Sequence, residues 1–321
     1  LATLGTLLST VLIATSLYVT LPLLGLPLAF IYCLLFGALI SPTDPIAVLG
    51  ILTQAGIEKP LVIRFVGESL FNDGVGVVIF ATVLSVAQAG TEALNGWSVL
   101  GLFLREGLGG LGLGLGLGYG GARLLRSVDN YKVEVLLTLA LVTGGNALAT
   151  LLHTSGPLAM VMAGIIIGHQ GRRDMSAVTQ EYVDKFWEIL DEIFNAVLFV
   201  LMGLEMLVLR ITPLYILVGL VAVGLVLVAR FISVGLPLAL LSLRREFTDN
   251  SLTILTWGGL RGGISVALAL SLPSAMPRDL LVGVTYVVVV FSILVQGLTV
   301  GPLAKRLQRK QALRLRATAP R

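Results

Sequence analysis

The 321-residue chain is 56% hydrophobic and 12% charged, with a formal net charge of +4 and a mean hydropathy of +0.96. A soluble domain carries about twice that share of charge, so there is too little polar surface here to coat a globule in water. So much apolar sequence implies many bilayer crossings of about 20 residues each, and the basic pI needs an explanation other than nucleic-acid binding.

In chain order the apolar segments run Leu1–Val19, Leu21–Leu52, Leu61–Ala87, Val99–Leu125, Val133–Leu152, Pro157–Gly168, Phe186–Leu209, Leu214–Leu241, Leu252–Leu272 and Leu280–Leu303. That predicts about ten helical spans in one transmembrane domain over residues 1–321, with a basic tail from 304 to 321. The chain opens inside an apolar stretch at Leu1, with no basic n-region and no cleavage site, and reads as N-terminally truncated.

The second segment contains Cys33, the single cysteine, which is expected to pack and has no metal-ligand spacing around it. The same segment contains Ser41-Pro42-Thr43-Asp44-Pro45. Two prolines three residues apart remove two backbone donors and clash with the preceding turn. The helix is expected to open there, which is tolerated at membrane depth only against protein or a cavity. The third segment begins with Gly67-Glu68-Ser69-Leu70-Phe71-Asn72-Asp73-Gly74. Residues four apart share a helix face, so Glu68 stacks with Asn72 and Ser69 with Asp73. Two carboxylates, an amide and a hydroxyl are hard oxygen donors suited to a small alkali cation.

The fourth segment carries Gly107-Leu108-Gly109-Gly110-Leu111-Gly112, which fits G-x-G-x-x-G. No strand precedes it and no βαβ unit surrounds it, so it is read as small residues allowing close helix approach in lipid. His153 and His169 fall near segment ends and are read as interfacial. Glu188, Asp191, Glu192, Glu205 and Arg230 are further charges in or near spans; Arg230 is placed toward a cytoplasmic end. The ninth segment holds Trp257-Gly258-Gly259-Leu260-Arg261-Gly262-Gly263-Ile264. Glycines there permit an unwound crossing, and Arg261 needs an acidic or carbonyl partner. The chain thus has one helix breaker with an acid and one with a base. Asp44 is expected to balance exposed half-helix N-termini, and Arg261 exposed C-termini.

Positive charge alternates between connections. Arg123, Arg126 and Lys132 cluster in one, Arg172, Arg173 and Lys185 two spans later, Arg244 and Arg245 two spans after that, and Lys305, Arg306, Arg309, Lys310, Arg314 and Arg316 in the tail. By the positive-inside rule the C-terminus is cytoplasmic. The basic residues are then membrane anchors rather than a nucleic-acid patch.

At Ser41–Pro45, Gly67–Gly74 and Gly258–Gly263 the sequence resembles the monovalent cation:proton antiporters, in the NhaP/NHE sodium–proton exchanger branch; order and approximate spacing agree along essentially the whole chain. The resemblance implies an all-α membrane protein of about thirteen helices, with the first few absent here. It implies two crossed discontinuous helices, antiporter-type inverted repeats, a core and a dimerisation module, a homodimer in a cell membrane, and alternating access. It matches Asp73 to the shared proton- and cation-binding carboxylate and Asn72 to its asparagine neighbour, which is counted with the cation-binding residues. Asp44, Ser69 and Thr43 match positions that join Asp73 in holding sodium, Thr43 through its main-chain carbonyl. Glu68 matches an acid paired with Arg261. Electrogenic relatives have a second aspartate where this chain has Asn72, so one-for-one electroneutral exchange of Na+ or Li+ for H+ is expected, with no cofactor beyond the transported ions. The partners implied are a monovalent cation, a proton, membrane lipid and a second copy, with no nucleic acid. The alternatives are a K+/H+ or broadly selective exchanger, a proton-coupled organic anion carrier, a channel, and an intramembrane enzyme; the last would want a nucleophile–base pair or metal motif that the sequence lacks.

Overall fold

The computed structural model describes residues 2–44, 59–89, 96–171, 175–208, 212–242 and 251–318. Pro45, the rest of the second apolar segment to Leu52, and the basic residues Arg172, Arg173, Arg244 and Arg245 lie outside the described residues. The elements in chain order are α1 (Ala2–Thr20), α2 (Phe30–Ile40), α3 (Lys59–Ala89), α4 (Gly96–Arg126), α5 (Tyr131–Leu151), α6 (Gly156–Ile166), α7 (Ala177–Val208), α8 (Pro213–Ser242), α9 (Ser251–Trp257), α10 (Gly263–Leu270), α11 (Arg278–Phe291) and α12 (Leu298–Thr318). A wider π turn follows α6 at Ile167–Gly171, and another joins α11 to α12 at Ser292–Gly297.

Among the described residues there is no strand; one isolated antiparallel bridge pairs Asp44 with Leu260. Among the described residues six helical stretches are long and apolar enough to cross a membrane: Thr3–Leu24, Val66–Ala89, Gly96–Arg126, Tyr131–Leu151, Pro213–Ala239 and Arg278–Leu307. The other expected spans take different forms. The segment at 252–272 is interrupted between α9 and α10, as its glycines predict, and the segment from Leu21 stops being helical after Ile40. The short α6 lengthens through its π turn. The amphipathic α7 begins nine residues before Phe186, because its start, with Thr179, Gln180, Glu181, Asp184 and Lys185, is helical without being apolar.

The described residues form two compact units, residues 1–76 with 206–321, and residues 77–205. In the first, α1 packs on α2 and α8, α8 on α11, and α10 on α11 and α2. Its interior is built from side chains such as Ile13, Leu17, Phe36, Leu39, Val226, Val282 and Val288. In the second, Asn130 caps α5 by accepting from the Lys132 amide at 3.1 Å, and Ser155 caps α6 ahead of Pro157. Both side chains answer helix-start amides that the helix itself cannot satisfy. The glycine run on α4 is helical. Gly110, Gly114 and Gly118 lie against Ser155, Ala159 and Ile166, and a methyl group on Gly114 would overlap the Ala159 backbone. The stripe therefore sets how closely α4 and α6 approach. Where α7 starts, three contacts tie it to α5. Thr179 donates to the Glu134 carboxylate at 3.4 Å, Trp187 donates to Thr138 at 3.1 Å, and Tyr182 stacks on Tyr131 at 4.3 Å.

Candidate functional site

The break after α2 starts with proline chemistry. Ser41 ends the helix by donating both its amide and its hydroxyl to the Gly37 carbonyl. Pro42 has no amide to continue the ladder, so the backbone runs extended through Thr43 to Asp44. Among the described residues the Ser41 and Pro42 carbonyls have no helical partner. Arg261 supplies one: its Nη1 donates to both, to Pro42 at 2.9 Å. A guanidinium at a helix C-terminus satisfies orphan carbonyls and opposes the negative end of the dipole. That is the task expected of Arg261 from its setting.

The second break meets the first. The Asp44 amide donates to the Leu260 carbonyl at 2.8 Å, so the two unwound stretches pair at one residue. Gly262 opens α10, and a methyl group there would overlap the Asp44 carboxylate. Only a glycine lets that carboxylate lie against the start of the half-helix, as expected of Asp44.

The polar face of α3 closes on this crossing. Asn72 accepts from the Thr43 amide at 3.2 Å and donates to the Thr43 hydroxyl at 2.7 Å. Thr43 Oγ1 lies 3.3 Å from Ser69 Oγ. All three residues are buried. Asn72 thus spends both ends of its amide on Thr43, bracing the unwound backbone. Asp73 is half-buried, and its Oδ1 is shielded from solvent with no hydrogen-bond partner. Asp44 and Arg261 are both close enough to act on it electrostatically. A carboxylate oxygen left in this state is costly unless a proton or cation reaches it.

Comparison with known proteins places this arrangement. Residues 1–306 match the transmembrane sodium/hydrogen exchanger family. The chain belongs to that family. It is 53% identical to the Na+/H+ antiporter NhaP of Pseudomonas aeruginosa over 318 residues, covering 98% of this chain and 75% of that protein. It is 39% identical to the Na+/H+ antiporter NhaH of Halobacillus dabanensis over 313 residues, covering 96% and 75%. The fold matches the solved sodium proton antiporter MjNhaP1 of Methanocaldococcus jannaschii with a TM-score of 0.74 at 21% identity, over 95% of this chain and 76% of that one.

Within this exchanger one pairing differs from the expectation. Glu68 was matched to an acid paired with Arg261, but its ion pair is with Arg230, Oε1 to Nη2 at 2.9 Å. Arg261 is occupied with the two carbonyls, although it remains near enough to Glu68 for their charges to interact. Arg230 is buried; it also donates to the Leu255 carbonyl of α9 at 3.4 Å and lies against Gly259. Arg230 was visible as a charge inside an apolar span, but its partner lies 162 positions away in sequence, between residues 68 and 230. Ser292 and Gln296, which also touch the crossing, carried a weaker signal: two buried polar residues four apart inside Leu280–Leu303.

Proposed function

We propose that this exchanger moves one Na+ or Li+ against one H+ by letting either, never both, neutralise Asp73. The reading is supported most by the buried, unpartnered Asp73 oxygen lying within electrostatic reach of Asp44, beside a backbone crossing held open by Pro42 and the glycines. A dehydrated alkali ion needs oxygen ligands in place of its water. Asp73, Asp44, the Ser69 hydroxyl and the Thr43 main-chain carbonyl are the proposed donors. Asn72 holds Thr43 in place. Glu68 and Arg230 neutralise each other, so neither adds a net charge to the site. Residues 1–321 are proposed as one antiporter domain acting as a homodimer by alternating access, with the Arg- and Lys-rich end from 304 to 321 on the cytoplasmic side. No cofactor enters this scheme.

Coupling follows from occupancy. The site with a cation or a proton bound is compensated and can cross; the empty site keeps an unbalanced charge in low dielectric, which is unfavourable by several kcal/mol, of order the cost of a charge at the bilayer centre. With one titrating carboxylate and Asn72 in place of a second, each cycle exchanges one positive charge for another. Proteoliposomes carrying an imposed pH gradient should dissipate it on addition of sodium or lithium chloride, at a rate unchanged when the membrane voltage is clamped. A response to potassium with none to sodium would replace this selectivity, and a strongly voltage-dependent rate would overturn the one-for-one stoichiometry.

A further inference from the structure

The unwound stretch between α9 and α10 has to satisfy its backbone at membrane depth, and several of its bonds can be followed. The Gly258 amide donates to the Ile254 carbonyl and the Leu260 amide to the Gly258 carbonyl, both at 2.8 Å. Leu260 offers its carbonyl to Asp44. The Arg261 amide and the Trp257 carbonyl lie one at each end of the stretch. Neither finds a partner on its own segment. Both are met by the π turn after α11: Ser292 Oγ accepts from the Arg261 amide at 2.8 Å, and Gln296 Nε2 donates to the Trp257 carbonyl at 3.1 Å. Ser292 in turn donates to Gln296 Oε1 at 2.8 Å, joining the two clamps into one chain. Ser292 and Gln296 are both buried. Trp257 adds a tie of its own, donating through Nε1 to Thr299 at 2.9 Å.

The widened turn of a π segment is a recurrent feature of functional sites, and here it presents a hydroxyl and an amide to backbone groups of the unwound stretch. We propose that Ser292 and Gln296 are positioning residues of the transport site: they grip the unwound backbone at both ends and so hold the Leu260 carbonyl where it fixes Asp44. Their hydrogen bonds named above run to each other and to the backbone of Arg261 and Trp257. Their effect passes through the crossing, so their loss loosens Asp44 as a cation ligand and leaves proton uptake at Asp73 in place. The inference rests on the proposed use of Asp44 and Asp73 as cation ligands.

The test compares Ser292→Ala, Ser292→Thr, Gln296→Met and Thr285→Val with the unaltered chain in proteoliposomes, reading KM for sodium, the rate at saturating sodium and the sodium-induced rise in Tm of the purified protein. Thr285 is the control, a buried hydroxyl on α11 that donates only within its own helix, to Leu281. Ser292→Ala and Gln296→Met should raise KM roughly tenfold, the equivalent of one net hydrogen bond. The saturating rate should change by less than about twofold, since Asp73 keeps its chemistry, and the sodium-induced Tm shift should shrink. Ser292→Thr keeps the hydroxyl and should restore KM; Thr285→Val should leave it unchanged. If Ser292→Ala does not fold, Gln296→Met reads the same clamp from its other end. An unaltered KM in Ser292→Ala and Gln296→Met overturns the proposal. So does an equal rise in Thr285→Val, a Ser292→Thr variant no better than alanine, or failure of both clamp variants to fold. Absence of sodium-driven flux in the unaltered chain would instead sink the exchange reading.

Discussion

Asp73→Asn should reduce sodium-driven proton movement in proteoliposomes to the level of empty vesicles, with the protein folded and its yield unchanged. The substitution keeps volume and shape but removes the proton-binding oxygen and the negative charge together. Stability should survive because Asp73 Oδ1 makes no hydrogen bond that the amide would lose. The amide is also uncharged, so the cost of holding a carboxylate away from water is relieved. Loss of transport with a Tm at or above that of the unaltered chain, in the absence of sodium, is therefore the expected pair of results. Sodium-dependent proton flux through Asp73→Asn would mean that another group carries the proton.

Arg261→Ala should fail for the opposite reason, through loss of folded protein. Arg261 is among the largest fully buried side chains and is 2% exposed. Its removal leaves the Ser41 and Pro42 carbonyls unanswered where water is scarce, opens a void at the crossing, and takes away the positive charge that faces Asp73 and Glu68. Breaking a buried charged contact of this kind costs about 3–5 kcal/mol, comparable to the whole margin by which many domains are folded. The monodisperse fraction after solubilisation and its melting temperature should both drop sharply. Arg261→Lys should recover part of the loss, since one ammonium can reach a carbonyl but cannot reproduce the guanidinium fork. Normal stability and transport in Arg261→Ala would remove the charge-balancing role from the account.

The parts of this site that announce themselves in sequence are those that follow from backbone chemistry. Paired prolines at 42 and 45 and clustered glycines from 258 to 263 both weaken a helix, so both interruptions were legible in the sequence, and α2 and α9 end where those residues begin. The polar face of Glu68, Ser69, Asn72 and Asp73 was legible from helical spacing. Partner identity was not. Glu68 has two buried arginines within reach, and spacing along the chain cannot decide between Arg230 and Arg261. The bridge from Asp44 to Leu260 joins residues 216 positions apart, the difference between 260 and 44, and its donor and acceptor are main-chain atoms that every residue possesses. For the same reason Ser292 and Gln296 stayed hidden: what they bind is backbone, and a π turn leaves no imprint on apolar periodicity. Helix ends were legible to within a few residues where caps such as Asn130 and Ser155 mark them. At α7 they were not, because an acidic first third carries no membrane signal.

Shared occupancy of Asp73 can be read directly from the sodium KM measured across a series of symmetric pH values in proteoliposomes of the unaltered chain. If sodium and a proton compete for one carboxylate, KM should climb as the medium is acidified, approaching roughly tenfold per pH unit once the proton form dominates, as mass action requires, while the rate at saturating sodium stays level. A KM that holds constant while the saturating rate falls would contradict the account, because it would place the two ions at separate sites.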